Sequence, residues 1–440
     1  MHIKEPPVMD LESSESDGCP PSAHFPEPVS LKASEETSQE EEEPRWRTST
    51  LIISSSHFVV MNTSGFTNCF GALQSYFIDE FSQSSSLVSW IGSMQIFLFF
   101  FIGTFSGRLT DAGYFRITFF TGSLIHVVSI LAASFRSELW IMFLTLGLGV
   151  GLGNGLMSCP MLAVMSQYFT KRRGMAVGIT MCGSCTGGLI YSSIIRELIP
   201  SLGFPWTMRV IALIQFVTLA FANIYLRPRT RAKSISGWVD WTAFQDVRFS
   251  HYAITTFMSL LGLYISIFFI VDFSRTSILP PLSYRNSLNL LMIFNRVNAI
   301  GRFGSGLAAD KFGVLGVFVP ILVATSLALF TWISVRTVPS MYLWTVFCGI
   351  LCGGIQSLFP AGLGYLTAGT EQPGTRMGVI FGLGSIASLI GSPIGGALVE
   401  AMDGNYLGAQ SFGGATMGLS ALFLEATRRA DKKTACCSKG

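Results

Sequence analysis

The sequence contains few charged residues. Of its 440 residues, 12% are Asp, Glu, Lys or Arg and 50% are hydrophobic, whereas an average soluble domain has about 25% charged residues. Apolar stretches follow one another with short interruptions from residue 48 to residue 426. This shortage of charge excludes an ordinary soluble fold and indicates a chain surrounded by lipid.

The sequence also lacks the motifs of several enzyme classes. Its five histidines are scattered, and it contains neither an HExxH motif nor a glycine-rich phosphate-binding loop for ATP-driven pumping. The pair Cys182 and Cys185 has no second pair or histidine cluster nearby, so we interpret these residues as small buried hydrophobes. We therefore predict no enzymatic activity, no cofactor, no metal site and no nucleic-acid partner.

Charge-free windows predict the membrane-spanning helices, because each span needs roughly 20 apolar residues. A twelfth segment of suitable length, 286–309, is interrupted by Arg296 and Arg302. We predict an all-α membrane protein with twelve transmembrane helices. The eleven uninterrupted windows are 48–78, 81–107, 117–135, 139–170, 174–195, 210–226, 249–271, 312–335, 337–370, 377–399 and 404–424.

Basic residues predict the orientation, because short cytosolic loops retain Lys and Arg. With twelve spans, 18 basic residues lie on the side of the termini and 6 on the other side. Both termini are therefore expected in the cytosol, with the plasma membrane as the expected location. No apolar signal segment precedes the first span, which we expect to direct its own insertion.

The predicted organisation has five parts. Residues 1–49 hold four basic and twelve acidic residues and are expected to form a disordered cytosolic tail. The bundles at 50–226 and 249–426 are joined by a basic cytosolic loop at 227–248, and 427–440 form a second tail. Repetition supports two related halves, because Gly107 and Asp111 recur as Gly306 and Asp310.

The loop from Gly107 to Tyr114, which includes Arg108 and Asp111, resembles the signature loop of the major facilitator superfamily. Its counterpart runs from Gly306 to Gly313 and includes Asp310. The resemblance implies two pseudo-symmetric six-helix bundles and a gating role for these residues. The alternative is a tight turn in which glycine supplies a positive φ and aspartate caps the next helix.

The stretch from Tyr168 to Gly178, with Arg172 and Arg173, resembles the monocarboxylate porter branch of that superfamily, particularly its fungal members. The resemblance implies transport of small organic acids and adds both arginines to the gating loops. Animal proton-coupled members have a lysine near the position of Ala72, which this chain lacks. This difference argues against proton coupling and favours a bulkier acid or a fungal secondary metabolite, with efflux as one direction.

Arg302 is the leading candidate for substrate binding. At about 100° per residue, Asn295, Asn298 and Arg302 lie on one stripe of a helix, while Arg296 points away. A buried guanidinium is suited to binding a carboxylate; the alternatives are snorkelling to headgroups or pairing with a helix C-terminus. Further polar candidates, each of which could instead bridge helices, are Asn68, Asn154, Tyr264 and Gln356.

These observations predict a secondary transporter of small organic anions that works by alternating access. We expect it to act as a monomer in the lipid bilayer. A different class remains open at this point, because the acidic tail would suit a nutrient sensor that has a transporter fold but transports nothing.

Overall fold

The computed structural model describes residues 46–135, 138–168, 178–228, 244–367 and 373–437, and these ranges are almost entirely helical. Before residue 228 the helices are α1 (Trp46–Val60), α2 (Phe66–Asn68), α3 (Phe70–Phe81), α4 (Ser85–Asp111), α5 (Phe115–Ala133), α6 (Leu139–Met142), α7 (Val150–Tyr168) and α8 (Gly183–Tyr225). After residue 244 they are α9 (Val247–Thr276), α10 (Tyr284–Phe312), α11 (Val314–Trp332), α12 (Val338–Thr367), α13 (Pro373–Ala401) and α14 (Leu407–Cys437).

Eight helical stretches among the described residues are long and apolar enough to cross a membrane. One of them, Gly178–Tyr225, joins two predicted windows and bends at Gly203, whose φ is +77°. The first window is divided by a π-helical segment, Met61–Gly65, between α1 and α2. A second π-helical segment, Phe143–Gly149, joins α6 to α7. The prediction of an all-helical, multi-pass chain is confirmed.

Local sequence explains where several long helices begin. Ser84 accepts a hydrogen bond from the backbone N–H of Leu87 at the start of α4 (3.3 Å). Ser283 does the same for Asn286 at the start of α10 (3.3 Å). Such caps satisfy backbone donors that have no partner within the helix.

The helix surfaces divide into buried contacts and exposed apolar residues. α4 packs along α13, α10 packs along α12 and α8, and α9 packs along α14 and α3. Large apolar residues such as Ile117, Leu213, Leu327 and Leu422 are more than half exposed. Exposed apolar residues in this number are typical of a surface that contacts lipid.

Two turns at equivalent places agree in part with the sequence-based alternative. A glycine supplies the positive φ in each turn, Gly113 at 92° and Gly313 at 80°, while Gly306 lies inside α10. Gly313 also occupies the N-cap position of α11, so the alternative in which Asp310 caps the next helix is wrong. α14 extends beyond residue 426 to Cys437, through much of the predicted C-terminal tail.

Candidate functional site

The polar stripe of α10 is buried as its helical spacing predicts. Asn295 and Asn298 are fully buried and Arg302 is 8% exposed. Arg296, on the opposite side of the same helix, is exposed. Arg302 therefore lies in the protein interior.

The guanidinium of Arg302 donates hydrogen bonds only to neutral acceptors. Its Nε donates to Oδ1 of Asn298 (2.9 Å), and Nη1 donates to the backbone carbonyl of Met181 (3.2 Å). Nη2 donates to Oε1 of Gln356 in α12. Among the residues that the structure describes, no carboxylate lies within ion-pair distance of this guanidinium, so none of them supplies its counterion.

Glycines bring α10 and α12 close enough for these bonds. A Cβ at Gly301 would collide with the backbone carbonyl of Ile350, and one at Gly353 would collide with the carbonyl of Asn298. The two backbones can approach this closely only because both positions are glycine. This approach places Gln356 beside Arg302.

The segment around α8 supplies the third side of the cluster. Met181 contributes its carbonyl, and the thiol of Cys185 donates to Oδ1 of Asn298 (3.5 Å). Gly188 leaves room for the side-chain amide of Asn295, which a Cβ there would strike. Sequence reasoning missed the role of Met181, because a backbone carbonyl has no sequence signal, and interpreted Cys185 only as a small hydrophobe.

Hydrogen-bonding capacity remains unused around Arg302. Within the described ranges, Nδ2 of Asn298 and Nε2 of Gln356 are buried and have no hydrogen-bond partner. Both are donors, and a guanidinium has five N–H groups, of which three are used here. Buried polar groups are usually satisfied, so this concentration of donors is suited to the oxygens of an anion.

The remaining predicted binding residues divide into two groups. Tyr264 of α9 lies near enough to Arg302 to interact with its charge. Asn68 and Asn154 are buried, but neither is among the hydrogen-bond partners of Arg302. Their role in substrate binding stays a prediction.

The predicted gating residues lie near helix ends. Gly107, Arg108 and Asp111 belong to the end of α4, and Gly306 and the exposed Asp310 to the end of α10. Arg172 and Arg173 lie outside the described residues, as does the side chain of Asp111. Gating by these residues stays a prediction.

A second buried network, which sequence reasoning missed, joins polar side chains that include no Lys, Arg, Asp or Glu. Nε2 of His126 (α5) bonds to Oε1 of Gln215 (α8) at 2.8 Å. Tyr191 donates to Oδ1 of Asn62, whose Nδ2 donates to Thr218 (2.8 Å). These residues are 89 to 156 positions apart in sequence, so no local pattern could have joined them. We call them the His126 network.

The ring of Phe66 connects the two arms of the His126 network. Its centroid lies 6.4 Å from that of His126 and 5.9 Å from that of Tyr191, with edge-on geometry in both pairs. His126, Tyr191, Gln215 and Asn62 are all fully buried. The network therefore belongs to the interior of the helices that precede residue 228.

A third polar group joins α3 and α4 to α9 and to the residue before α14. Arg275 pairs with Asp79 (2.7 Å) and donates to Ser75 (2.7 Å). Asp272 is only 7% exposed and accepts hydrogen bonds from Tyr406 and from Ser85 (3.5 Å). These bonds join residues before 228 to residues after 244 at one end of the helices.

The chain has relatives of known class. Residues 57–294 match the Major Facilitator Superfamily. An MFS-type transporter of Gibberella zeae is 40% identical over 372 residues, 84% of each chain. An agnestins efflux protein of Paecilomyces divaricatus is 32% identical, over 91% of this chain and 92% of that one. A nucleoside transporter of solved structure superposes with a TM-score of 0.64 at 13% identity, over 86% of this chain and 99% of that one.

These comparisons agree with the architecture. The structural likeness concerns the fold alone, while the relatives are named as transporters and span nearly the same length. A sensor that transports nothing is therefore not favoured. The chain belongs to the Major Facilitator Superfamily and is a multi-pass membrane transporter, not an enzyme.

Proposed function

We propose that this transporter exports an organic anion that binds to Arg302. The observation that carries the proposal is the buried guanidinium, whose three hydrogen bonds all go to neutral acceptors. A charge inside a membrane protein costs several kcal/mol unless it is compensated, and such residues mark substrate pathways. A carboxylate or phenolate in the substrate would supply the missing counterion.

The proposed substrate class is a secondary metabolite with an acidic group, rather than a lactate-like acid. A relative named for efflux of agnestins supports this class and direction. The absence of a lysine at Ala72 supports it as well. Membership of the monocarboxylate porter branch is part of this proposal, because the resemblance rests on short motifs.

We propose transport by alternating access of two six-helix bundles. The described helices are compatible with twelve crossings if Trp46–Phe81 is one bent span and α8 is two spans that meet at Gly203. Hydrogen bonds and ion pairs between the proposed bundles, such as Arg275 with Asp79, would hold one side closed. Both termini would be cytosolic and the transport unit monomeric, in the plasma membrane.

We place no proton carrier at the Arg302 cluster. Within the described residues its side chains are an arginine, two amides and a thiol, so the cluster contains neither a carboxylate nor an imidazole that could exchange a proton with the substrate. A carboxylate that exchanged a proton with the substrate would also neutralise Arg302 in the empty state. Export driven by another gradient is compatible with this arrangement.

The test compares two arginines of one helix. Cells expressing the full chain are loaded with a panel of aromatic carboxylic acids and phenols, and the acid that leaves them faster than it leaves empty-vector cells becomes the probe. Arg302→Ala should reduce its export at least about tenfold, because a charge-assisted contact is worth more than about 1.4 kcal/mol. Arg302→Lys should lose most of the export, since lysine lacks the planar fork.

Arg296→Ala is the matched control, because it removes an exposed arginine from the same helix. It should leave export within about twofold of the wild-type rate, as expected for a surface position. Equal export by wild type and Arg302→Ala, at equal amounts in the membrane, would refute the role of Arg302. If no anion leaves faster than from empty-vector cells, the anion class itself is wrong.

A further inference from the structure

A surface groove lies between α10, α11, α12 and α14, and none of its lining residues belongs to the Arg302 cluster. Its volume is about 550 Å³, within the range of ligand-binding clefts, about 300–1,000 Å³. Its walls include Phe312 of α10, Gly316 and Ala324 of α11, and Leu351 of α12. Arg428 of α14 is the charged residue that lines it, so we call it the Arg428 groove.

Small residues keep the Arg428 groove open. A Cβ at Gly316 would meet no atom within 4 Å, and Phe312 is 67% exposed. α11 and α12 are among the helices apolar enough to cross a membrane. An apolar groove on such helices faces hydrocarbon, so its natural occupant is an acyl chain.

Basic side chains surround the end of the groove. Lys432 is one helical turn beyond Arg428 on α14 and therefore on the same face. Lys311 lies in the last turn of α10, with its ammonium 5.4 Å from the ring centroid of Phe312, which lines the groove.

The carboxylates in this region are fewer than the basic groups. Glu425 pairs with both Arg428 (3.3 Å) and Arg429 (3.0 Å), and Asp310 is the exposed neighbour of Lys311. Asp431 pairs with Arg248 (3.3 Å) and accepts a hydrogen bond from Tyr365 (2.8 Å). Among the described residues, the three basic groups near the groove outnumber the carboxylates of Glu425 and Asp310, which leaves the end of the groove positive.

We propose that the Arg428 groove binds one anionic phospholipid. An acyl chain occupies the apolar floor, and the phosphate and its negatively charged headgroup bind Arg428, Lys432 and Lys311. A small organic anion would satisfy the basic residues but leave the apolar floor unfilled, and a neutral lipid would do the reverse. In the orientation proposed above this is the cytosolic leaflet, which is rich in anionic lipids. The site itself does not depend on what the protein transports.

The test measures lipid binding to the purified full chain. The chain in detergent is titrated separately with phosphatidylserine and with phosphatidylcholine, and bound lipid is counted by native mass spectrometry. Wild type should prefer phosphatidylserine at least about tenfold, since each basic residue near a headgroup favours an anionic lipid by about fivefold. Arg428→Gln should reduce this preference about fivefold.

Two further variants separate the parts of the site. Gly316→Leu fills the groove and should weaken binding of both lipids. Arg429→Gln is the matched control, because Arg429 shares the partner Glu425 but is 76% exposed and does not line the groove. It should retain most of the preference for phosphatidylserine.

Three outcomes would overturn the proposal. The first is equal binding of the two lipids by wild type. The second is an equal loss of preference in Arg428→Gln and Arg429→Gln, which would indicate general surface charge. The third is displacement of phosphatidylserine by inorganic phosphate at comparable concentration, which would assign the basic residues to a free anion.

Discussion

The Arg302 cluster and the His126 network are built from similar amides, yet they differ in charge. Arg302 is held by Asn298 and Gln356 and has no carboxylate within ion-pair distance among the described residues. In the His126 network, an imidazole and a phenol bond to Gln215 and Asn62, and none of the bonded residues is Lys, Arg, Asp or Glu. In the proposed function the first arrangement takes an anion as its counterion, while the second needs none. Both are buried, so the unbalanced charge of Arg302, and not burial, is the reason that we propose it as the binding residue.

The largest effect on export is expected from giving Arg302 a carboxylate counterion within the protein. Asn298→Asp would place a carboxylate where Oδ1 now accepts from Nε of Arg302 at 2.9 Å. Because that carboxylate competes with the substrate for the guanidinium, we expect the apparent affinity for the exported anion to fall by about tenfold to a hundredfold. Asn298→Ser, which adds no charge, is the control and should lose less.

The measurement is the concentration dependence of export in reconstituted vesicles, with each variant at equal density. Unchanged affinity in Asn298→Asp would mean that the anion does not bind to Arg302. The thermal stability of Asn298→Asp serves as a check on its folding. The new ion pair with Arg302 should leave this stability unchanged or higher.

Disrupting the His126 network should affect stability more than transport. Gln215→Leu leaves Nε2 of His126 without its partner, and a buried unsatisfied group costs about 1–3 kcal/mol. We expect a lower unfolding temperature in detergent and an export rate within about threefold of wild type. His126→Phe combined with Gln215→Leu removes both polar groups and should recover part of the loss. Export reduced as strongly as in Arg302→Ala would contradict this separation of roles.

The third polar group provides an arginine that already has its carboxylate. Arg275 pairs with Asp79 at 2.7 Å, but Asp79 is half exposed, so the pair is worth at most about 1 kcal/mol. Arg275→Gln should therefore change the export rate by no more than about fivefold. High salt should reduce the difference between variant and wild type, because exposed pairs are screened. If Arg275→Gln reduced export as strongly as Arg302→Ala, the presence of a carboxylate partner would not determine how much an arginine contributes to export.

The smallest effect is expected at Asp246, which lies before the first residue of α9. Burial raises the pKa of Asp246, but hydrogen bonds from Arg248, together with its charge, hold the pKa below its ordinary value of 3.8. A lowered pKa stabilises the fold above pH 3.8, and the stabilisation is lost as pH falls through the lower folded value.

Asp246→Asn should therefore lower the unfolding free energy at pH 7 by less than about 1 kcal/mol. The difference in unfolding free energy between Asp246→Asn and wild type should approach zero as Asp246 of the wild type becomes protonated. Thermal unfolding of both proteins between neutral pH and pH 2 measures this. If the difference in unfolding free energy grew on acidification, the pKa of Asp246 would not be lowered in the folded protein.

The sequence predicted what depends on local periodicity. Charge-free windows located most of the long helices, and the angular spacing along α10 separated Arg302 and Asn298 from Arg296. Contacts between helices that are far apart in sequence could not be predicted in the same way. Gln356 could be named only as one polar candidate among several, and the pairing of His126 with Gln215 could not be foreseen because their spacing follows no pattern.

One backbone feature was also beyond the sequence. The π-helical segment Met61–Gly65 places Asn62 against Tyr191 and Thr218, yet its composition does not distinguish it from ordinary helix. The bend at Gly203 is different, because this glycine lies between Pro200 and Pro205, which are local signals for a break in a helix. It falls between the fifth and sixth predicted windows.

One stretch of α8 carries residues of both buried networks. Cys185 bonds to Asn298, and Tyr191, six residues later, bonds to Asn62. Six residues of α-helix span about 9 Å, and a helix is stiff over so short a length. If the proposed anion displaces Cys185 on binding to Arg302, Tyr191 should therefore shift with it, which would couple the Arg302 cluster to the His126 network.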